Sequence, residues 1–155
     1  MLIREALPSD ADQIVTVLKH SVYTVCGAVY KDKAVLDRWC SNKTIQNITE
    51  WMSDPKNHMV VLQLKTEVHG VALGRVEGPK GKILLCYLLQ ESLGKGFGVK
   101  LLAELEKWFL SNQAQSIHLE STLNAANFYL RHGYTATRVK LDDPVSLDMQ
   151  KSLAC

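Results

Sequence analysis

Leu85-Cys86-Tyr87-Leu88-Leu89-Gln90-Glu91-Ser92-Leu93-Gly94-Lys95-Gly96-Phe97-Gly98 is the stretch on which the fold turns. An apolar run delivers the chain into a turn containing Gly94, Gly96 and Gly98. Leu101, Leu105, Trp108 and Phe109 then follow at the i, i+4, i+7, i+8 spacing of a core-facing helix. The segment therefore reads as a buried strand, a tight turn and a helix. Amides at a helix start have no partner within the helix, and together with the positive end of its dipole they suit a phosphate or pyrophosphate. Glycines let a ligand approach those amides, where Cβ atoms would hold it away. Lys95 adds a point charge within the turn. A turn whose glycines serve backbone geometry alone would look the same. Two other phosphate motifs fail here. No Gly-Lys-Ser/Thr closes the loop as a Walker A turn requires, and Leu101 stands where a G-x-G-x-x-G pattern needs its third glycine.

Upstream, Met59–Leu64, Gly70–Val76 and Lys82–Leu89 read as strands. A turn near Glu67 and His69 separates the first two, and Gly78-Pro79-Lys80-Gly81 forms the next hairpin loop. Residues 2–5 form an opening strand. Pro8-Ser9-Asp10 starts a helix with Ser9 as cap and Ile14, Val15 and Leu18 as its apolar face. Residues 22–53 read as irregular helical structure ended by Asp54-Pro55. Leu36 and Trp39 mark one apolar face there, and Ile45, Ile48, Trp51 and Met52 the next. Downstream, Ile117–Glu120 is a strand and Asn124–His132 a short helix with Gly133 as its left-handed cap. Strands over 134–140 and 145–151 finish the chain. The order β-α-α-β-β-β-α-β-α-β-β is that of a mixed α/β protein, read as a single domain over residues 1–155.

Composition narrows the function classes. The 155 residues suffice for one compact domain, and 46 % hydrophobic with 22 % charged residues is ordinary for a soluble globular protein. A net charge of +2, from 18 basic and 16 acidic side chains, gives no argument for nucleic acid or a membrane as partner. Cys26, Cys40, Cys86 and Cys155 form no CxxC pair and no disulfide-framework spacing, and no metal-ligand cluster is visible. With no secretory signal at the N-terminus, reduced thiols and a cytoplasmic location are expected. The longest apolar runs, such as Ile83–Leu89, are too short to cross a bilayer.

A second segment, Leu119-Glu120-Ser121-Thr122-Leu123-Asn124-Ala125-Ala126-Asn127-Phe128-Tyr129-Leu130-Arg131-His132-Gly133-Tyr134, gives the first its meaning. Together the two resemble the GNAT N-acetyltransferases, in particular small GNAT proteins of bacterial type. That family's phosphate turn reads Q/R-x-x-G-x-G/A, and Leu93-Gly94-Lys95-Gly96-Phe97-Gly98 occupies it here. The family's later signature is an Asn/Ala-containing turn followed by Phe-Tyr and then Gly-Tyr or Gly-Phe. Phe128-Tyr129 and Gly133-Tyr134 match it, and Thr122-Leu123-Asn124-Ala125 is similar to a Ser-Leu-Asn-Ala subgroup. The likeness extends to Ile3-Arg4-Glu5-Ala6 at the start and Val145–Leu153 at the end. It departs at Leu93, where Gln or Arg is usual, and at Gln90, where proline is usual.

The resemblance implies a fold whose middle strands, 83–89 and 116–120, splay apart to hold acetyl-CoA as cosubstrate, with no metal. It places the backbone of Tyr87, Leu88 and Leu89 along the pantetheine arm and acetyl carbonyl. The amides of Leu93, Gly94, Lys95, Gly96, Phe97 and Gly98 then hold the pyrophosphate. The amine attacks the thioester directly, so proton removal, carbonyl polarisation and thiolate departure are what the protein must assist. Tyr129 is the candidate general acid for the departing thiolate. Glu120 is the candidate base, with His118 two residues away on the same strand face, and solvent is the alternative. Asn124 and Asn127 are read as cofactor contacts or helix-start residues. Tyr30 and Trp39 are read as walls of the acceptor pocket or as packing. Cys86, within an apolar strand, reads as a small buried hydrophobe. The expected reaction is acetyl transfer to a primary amine, with a small molecule as acceptor. Protein N-termini or lysines remain alternative acceptors, and a CoA-binding module without turnover is the other alternative. A homodimer is left open.

Overall fold

A computed structural model describes residues 1–153 of the chain, and Cys155 lies outside them. Its elements are β1 (Leu2–Glu5), α1 (Ala11–His20), α2 (Lys33–Cys40), α3 (Ile45–Ser53), β2 (Asn57–Leu64), β3 (Glu67–Glu77) and β4 (Lys80–Leu88). There follow α4 (Phe97–Ser111), β5 (Ser116–Thr122), α5 (Ala126–Arg131), β6 (Thr135–Lys140) and β7 (Ser146–Ser152). One 7-stranded sheet runs in the order β1-β2-β3-β4-β5-β7-β6. Among the described residues only the β4–β5 pair is parallel, joined by the α4 crossover, as expected of a connection that carries a helix. This mixed sheet with its flanking helices is the fold that the sequence implies.

The helices cover two faces. Leu101, Leu102, Leu105 and Phe109 of α4 pack on Leu62, Ala72, Ile83 and Ile117 of the sheet. Trp108 lies at the margin of this stripe, half-buried and stacked on His58 at 5.0 Å between ring centroids. On the opposite face, Ile14, Val17 and Leu18 of α1 and Ile48 of α3 pack on Val61, Val71, Leu73 and Leu85. Ile45, expected on this apolar face, is instead exposed at the first turn of α3, where Thr44 caps the helix by accepting from Asn47 N–H.

Several boundaries move. The first helix begins with a 3-10 turn over Pro8–Asp10, and Asp10 rather than Ser9 organises it. The Asp10 carboxylate accepts from the Leu7 amide at 2.8 Å and receives both guanidinium arms of Arg4, at 2.8 and 2.9 Å. The β2–β3 turn lies at Lys65 and Thr66, so Glu67 and His69 are already strand residues. Likewise the β3–β4 hairpin turns on Gly78 and Pro79 alone, with Lys80 and Gly81 in β4. Between α1 and α2 the chain makes a π-helical turn, Ser21–Val25, and a 3-10 turn, Cys26–Ala28, which carries Tyr30 over the sheet.

Candidate active site

The site begins with an irregularity in β4. Leu73 pairs with Leu85 but Gly74 pairs with Ile83, so Leu84 is an extra residue, a β-bulge. Side chains normally alternate along a strand. Ile83 packs on the α4 face and Leu85 on the α1 face, because the bulge between them shifts the alternation by one. Pairing of β4 with β5 ends at Ile83↔Leu119. Beyond that point β4 continues to Leu88 and β5 to Thr122 without pairing, and the strands splay.

The splay leaves backbone groups facing the gap. Leu89 N–H donates to His69 C=O at 2.9 Å, which fixes the hydrogen-bonding parity of the β3–β4 pair. By that parity Leu85 and Tyr87 also bond to β3, and the N–H and C=O of Cys86 and Leu88 point away from it. Of the expected stretch Tyr87–Leu89, only Leu88 turns its backbone groups away from β3, and Cys86, just before that stretch, does the same. The Leu88 carbonyl already accepts from the buried Ser21 Oγ at 2.7 Å. The Leu89 side chain packs on the α1 face, away from the gap.

At the wide end of the splay lies the glycine turn. Gly94 and Gly96 have φ of +74° and +81°, a region that favours glycine, and a Cβ at either would meet nothing within 4 Å. Gly96 is the N-cap of α4 with no side-chain cap, so the first amides of that helix face open space. Gly98 has a different reason to be glycine, since its Cβ would stand 3.3 Å from Phe128 Cε1. A cavity of about 290 Å³ runs from this turn into the splay, lined by Leu93, Gly94, Gly98, Leu88, Asn124 and Tyr129 among others. These residues fit a chain-like ligand with a phosphate end.

Tyr129 closes the narrow end. Its ring packs edge-on against Phe128 at 5.2 Å and Tyr134 at 5.6 Å. Burial, together with the neighbouring Cys86 and Tyr87, raises the phenol well above its ordinary value, so it stays protonated at neutral pH. The Cys86 thiol, which neighbours that hydroxyl in the lining of the fork, is pushed up to about 11 by burial and is no nucleophile at neutral pH.

The other expected residues divide clearly. Glu120 stands one residue beyond the last β4–β5 pair, exposed, with its carboxylate held by Lys140 Nζ at 2.6 Å. His118 Nε2 shares a 2.9 Å hydrogen bond with Ser116 Oγ, and burial with Lys80 and Lys82 nearby lowers its pKa. Asn124 lines the cavity together with Cys26, whereas Asn127 is exposed outside it. Lys95 is exposed in the turn, and Phe97 packs into the α4 core. Tyr30 acts as a tie, its hydroxyl accepting from Leu123 N–H at 2.8 Å and donating to Val145 C=O. Trp39 meets Tyr30 edge-on at 5.5 Å, and burial raises the pKa of the Tyr87 hydroxyl. Ser21, Cys26 and Arg131 also line the cavity, and no motif in the sequence marks them. Among the described residues no cluster of metal-ligating side chains occurs, and no helix is long and apolar enough to cross a membrane.

Comparison with known proteins places this geometry. No curated protein matches the sequence. Among solved structures, the PaiA N-acetyltransferase from Thermoplasma acidophilum, in complex with coenzyme A, superposes with a TM-score of 0.85 at 18 % identity, over 97 % of this chain and 98 % of that one. A ribosomal-protein-alanine N-acetyltransferase from Brucella melitensis gives 0.75 at 21 % identity, over 99 % and 100 %. The aminoglycoside 6'-N-acetyltransferase from Enterococcus faecium gives 0.75 at 14 %, over 100 % and 98 %. These likenesses share the fold. The model of the acetyltransferase (GNAT) family matches residues 27–134, which include the bulged strand, the glycine turn, the splay and Tyr129, and the chain belongs to that family.

Proposed function

We propose that the protein transfers the acetyl group of acetyl-CoA to the primary amine of a small molecule, by direct attack of the amine on the thioester. As a GNAT protein it is an acyltransferase. The observation that carries the proposal is the splay itself. It is an open gap between β4 and β5, with backbone polar groups along one side and an uncapped helix start at its mouth. The cosubstrate supplies an activated acetyl thioester. The first amides of α4, at the Leu93–Gly98 turn, hold its phosphates. Backbone groups of Cys86 and Leu88 align the pantetheine arm and leave an N–H to polarise the acetyl carbonyl. Asn124, Tyr87 and Leu89 frame the arm, the last two by fixing β4 on β3.

Tyr129 donates the proton that the leaving sulfur needs, and burial keeps that proton in place. Glu120, beside the fork and in contact with Lys140, receives the amine's proton through water. Asn127, far from the cavity, serves the start of α5. Trp39 and Tyr30 wall the acceptor side. The protein works as one domain over residues 1–155, in the cytoplasm, without nucleic acid or membrane. Similarity to an aminoglycoside acetyltransferase supports a small acceptor.

The test is calorimetric titration with CoA, followed by CoA release from acetyl-CoA with a panel of small amines. Binding with amine-dependent release is expected. Tight CoA binding with no release across the panel, or with peptides alone, would overturn the small-molecule reaction.

A further inference from the structure

A separate cavity of about 450 Å³ opens on the face that α1 and α3 cover, beside the fork. Trp51 of α3, Arg75 of β3, and Leu84 and Leu85 of β4 wall it, and Lys43 lines it from the α2–α3 connection. Leu84 and Leu85 also line the fork, so the two spaces adjoin across the bulge.

Lys43 is the unusual member. It is 6 % exposed, and its ammonium donates to the neutral Asn42 Oδ1 at 2.7 Å. Trp51 contributes a ring face 5.9 Å away. The nearby Asp54 carboxylate is taken by Arg75 at 2.7 Å, and among the described residues no carboxylate pairs with Lys43. A buried ammonium without a counter-ion is costly. Desolvation accordingly lowers the Lys43 pKa from its ordinary value. The cavity thus combines an apolar side of Trp51, Leu73, Leu84 and Leu85 with a polar side of Asn42, Asn57 and the Arg75–Asp54 pair, and among the described residues Lys43 is the one charge there that no opposite charge offsets.

We propose that this cavity is an anion subsite of the acceptor site, and that the acceptor is an amine bearing a carboxylate on an apolar body. Lys43 binds the carboxylate, Trp51 with Leu84 and Leu85 contacts the apolar body, and the amine reaches over the bulge to the fork. The amine half rests on the acetyl-transfer reading, while the carboxylate half rests on Lys43 and its cavity alone.

The experiment separates the two. The full chain, saturated with CoA so that no turnover occurs, is titrated with L-leucine and L-phenylalanine, with their carboxamides, and with O-phosphoethanolamine. The carboxylates should bind at least about tenfold tighter than the carboxamides. Lys43→Met should abolish that preference and leave CoA affinity unchanged, and Lys43→Arg should keep part of it. In turnover the preference should appear in KM rather than kcat, because the subsite holds substrate and transition state alike. Equal affinity for acids and amides, or a preference that survives Lys43→Met, overturns the proposal. Tighter binding of O-phosphoethanolamine than of either amino acid overturns the carboxylate assignment. Lys43-dependent carboxylate binding without acetylation of any amine supports the subsite and removes the reaction. Should Lys43→Met fail to fold, Lys43→Gln and the wild-type comparison of acid with amide decide in the same way.

Discussion

Tyr129→Phe removes one hydroxyl from the closed end of the splay and almost no volume. The phenyl ring keeps its contacts with Phe128 and Tyr134, at 5.2 and 5.6 Å. What it loses is a hydroxyl whose polar neighbour is the Cys86 thiol, and sulfur is a weak partner. The stability cost should therefore stay below about 1 kcal/mol. Loss of a general acid costs on the order of 10²-fold in rate, about 2.7 kcal/mol of barrier at 1.36 kcal/mol per tenfold. The hydroxyl acts when charge develops on sulfur, so the loss should fall on kcat and spare the calorimetric affinity for CoA. Stopped-flow detection of released thiol, with an amine found by the panel, separates the outcomes. A packing residue would tolerate Phe with at most about a threefold change. Turnover of the variant within that range would refute the acid role. Because burial raises the Tyr129 pKa, wild-type kcat should also show no loss of this acid as pH approaches 10.0, the ordinary tyrosine value.

Asp10→Ala removes the carboxylate that both Arg4 arms and the Leu7 amide share, and should cost about 2 kcal/mol in urea denaturation while CoA affinity is unchanged. The Asp10 pKa is lowered from 3.8, chiefly by the Arg4 hydrogen bonds, so its contribution is complete above that pH and disappears as pH falls through the folded value. Wild type should therefore lose more stability than the variant in strong acid. Gly96→Ala places a side chain at φ +81°, where strain of about 1 kcal/mol must reshape the turn. Calorimetry should show CoA bound severalfold more weakly, and unchanged affinity in a folded variant would count against the turn as the phosphate cradle. Tyr30→Phe leaves Leu123 N–H and Val145 C=O without their partner and should lower stability by about 1–3 kcal/mol in thermal or urea unfolding.

The parts of this site that were legible in the sequence are those set by local spacing. The Leu101, Leu105 and Phe109 stripe and the glycine turn depend on residues within a few turns of one another, and the structure has both where the pattern puts them. Long-range placement was not legible. Ile83–Leu89 is apolar throughout, so nothing in its pattern reveals that the alternation shifts at Leu84. Lys43, flanked by Asn42 and Thr44, has the local context of a solvated loop, and its burial beside Trp51 is a matter of tertiary packing. Ser21 reaches the Leu88 carbonyl across the fold through an irregular helical turn that has no sequence signature. The Ser9 and Ile45 expectations failed for a related reason, since propensity cannot see Arg4 drawing on Asp10, or where the end of α3 meets solvent.

The extra residue in β4 has a genetic consequence. Leu84 is an exposed leucine, and other apolar side chains would serve in its place, so a library of apolar substitutions should find the position permissive. A library of single-codon deletions should find the opposite. Without the insertion, either the residues from Leu85 to Leu88 turn inside out relative to the helices, or β4 runs on in register and zips closed against β5. The capacity for chemistry is in this sense written as a count of residues rather than as their identity. Gene families built on such a strand can then drift freely in letters while holding its length fixed.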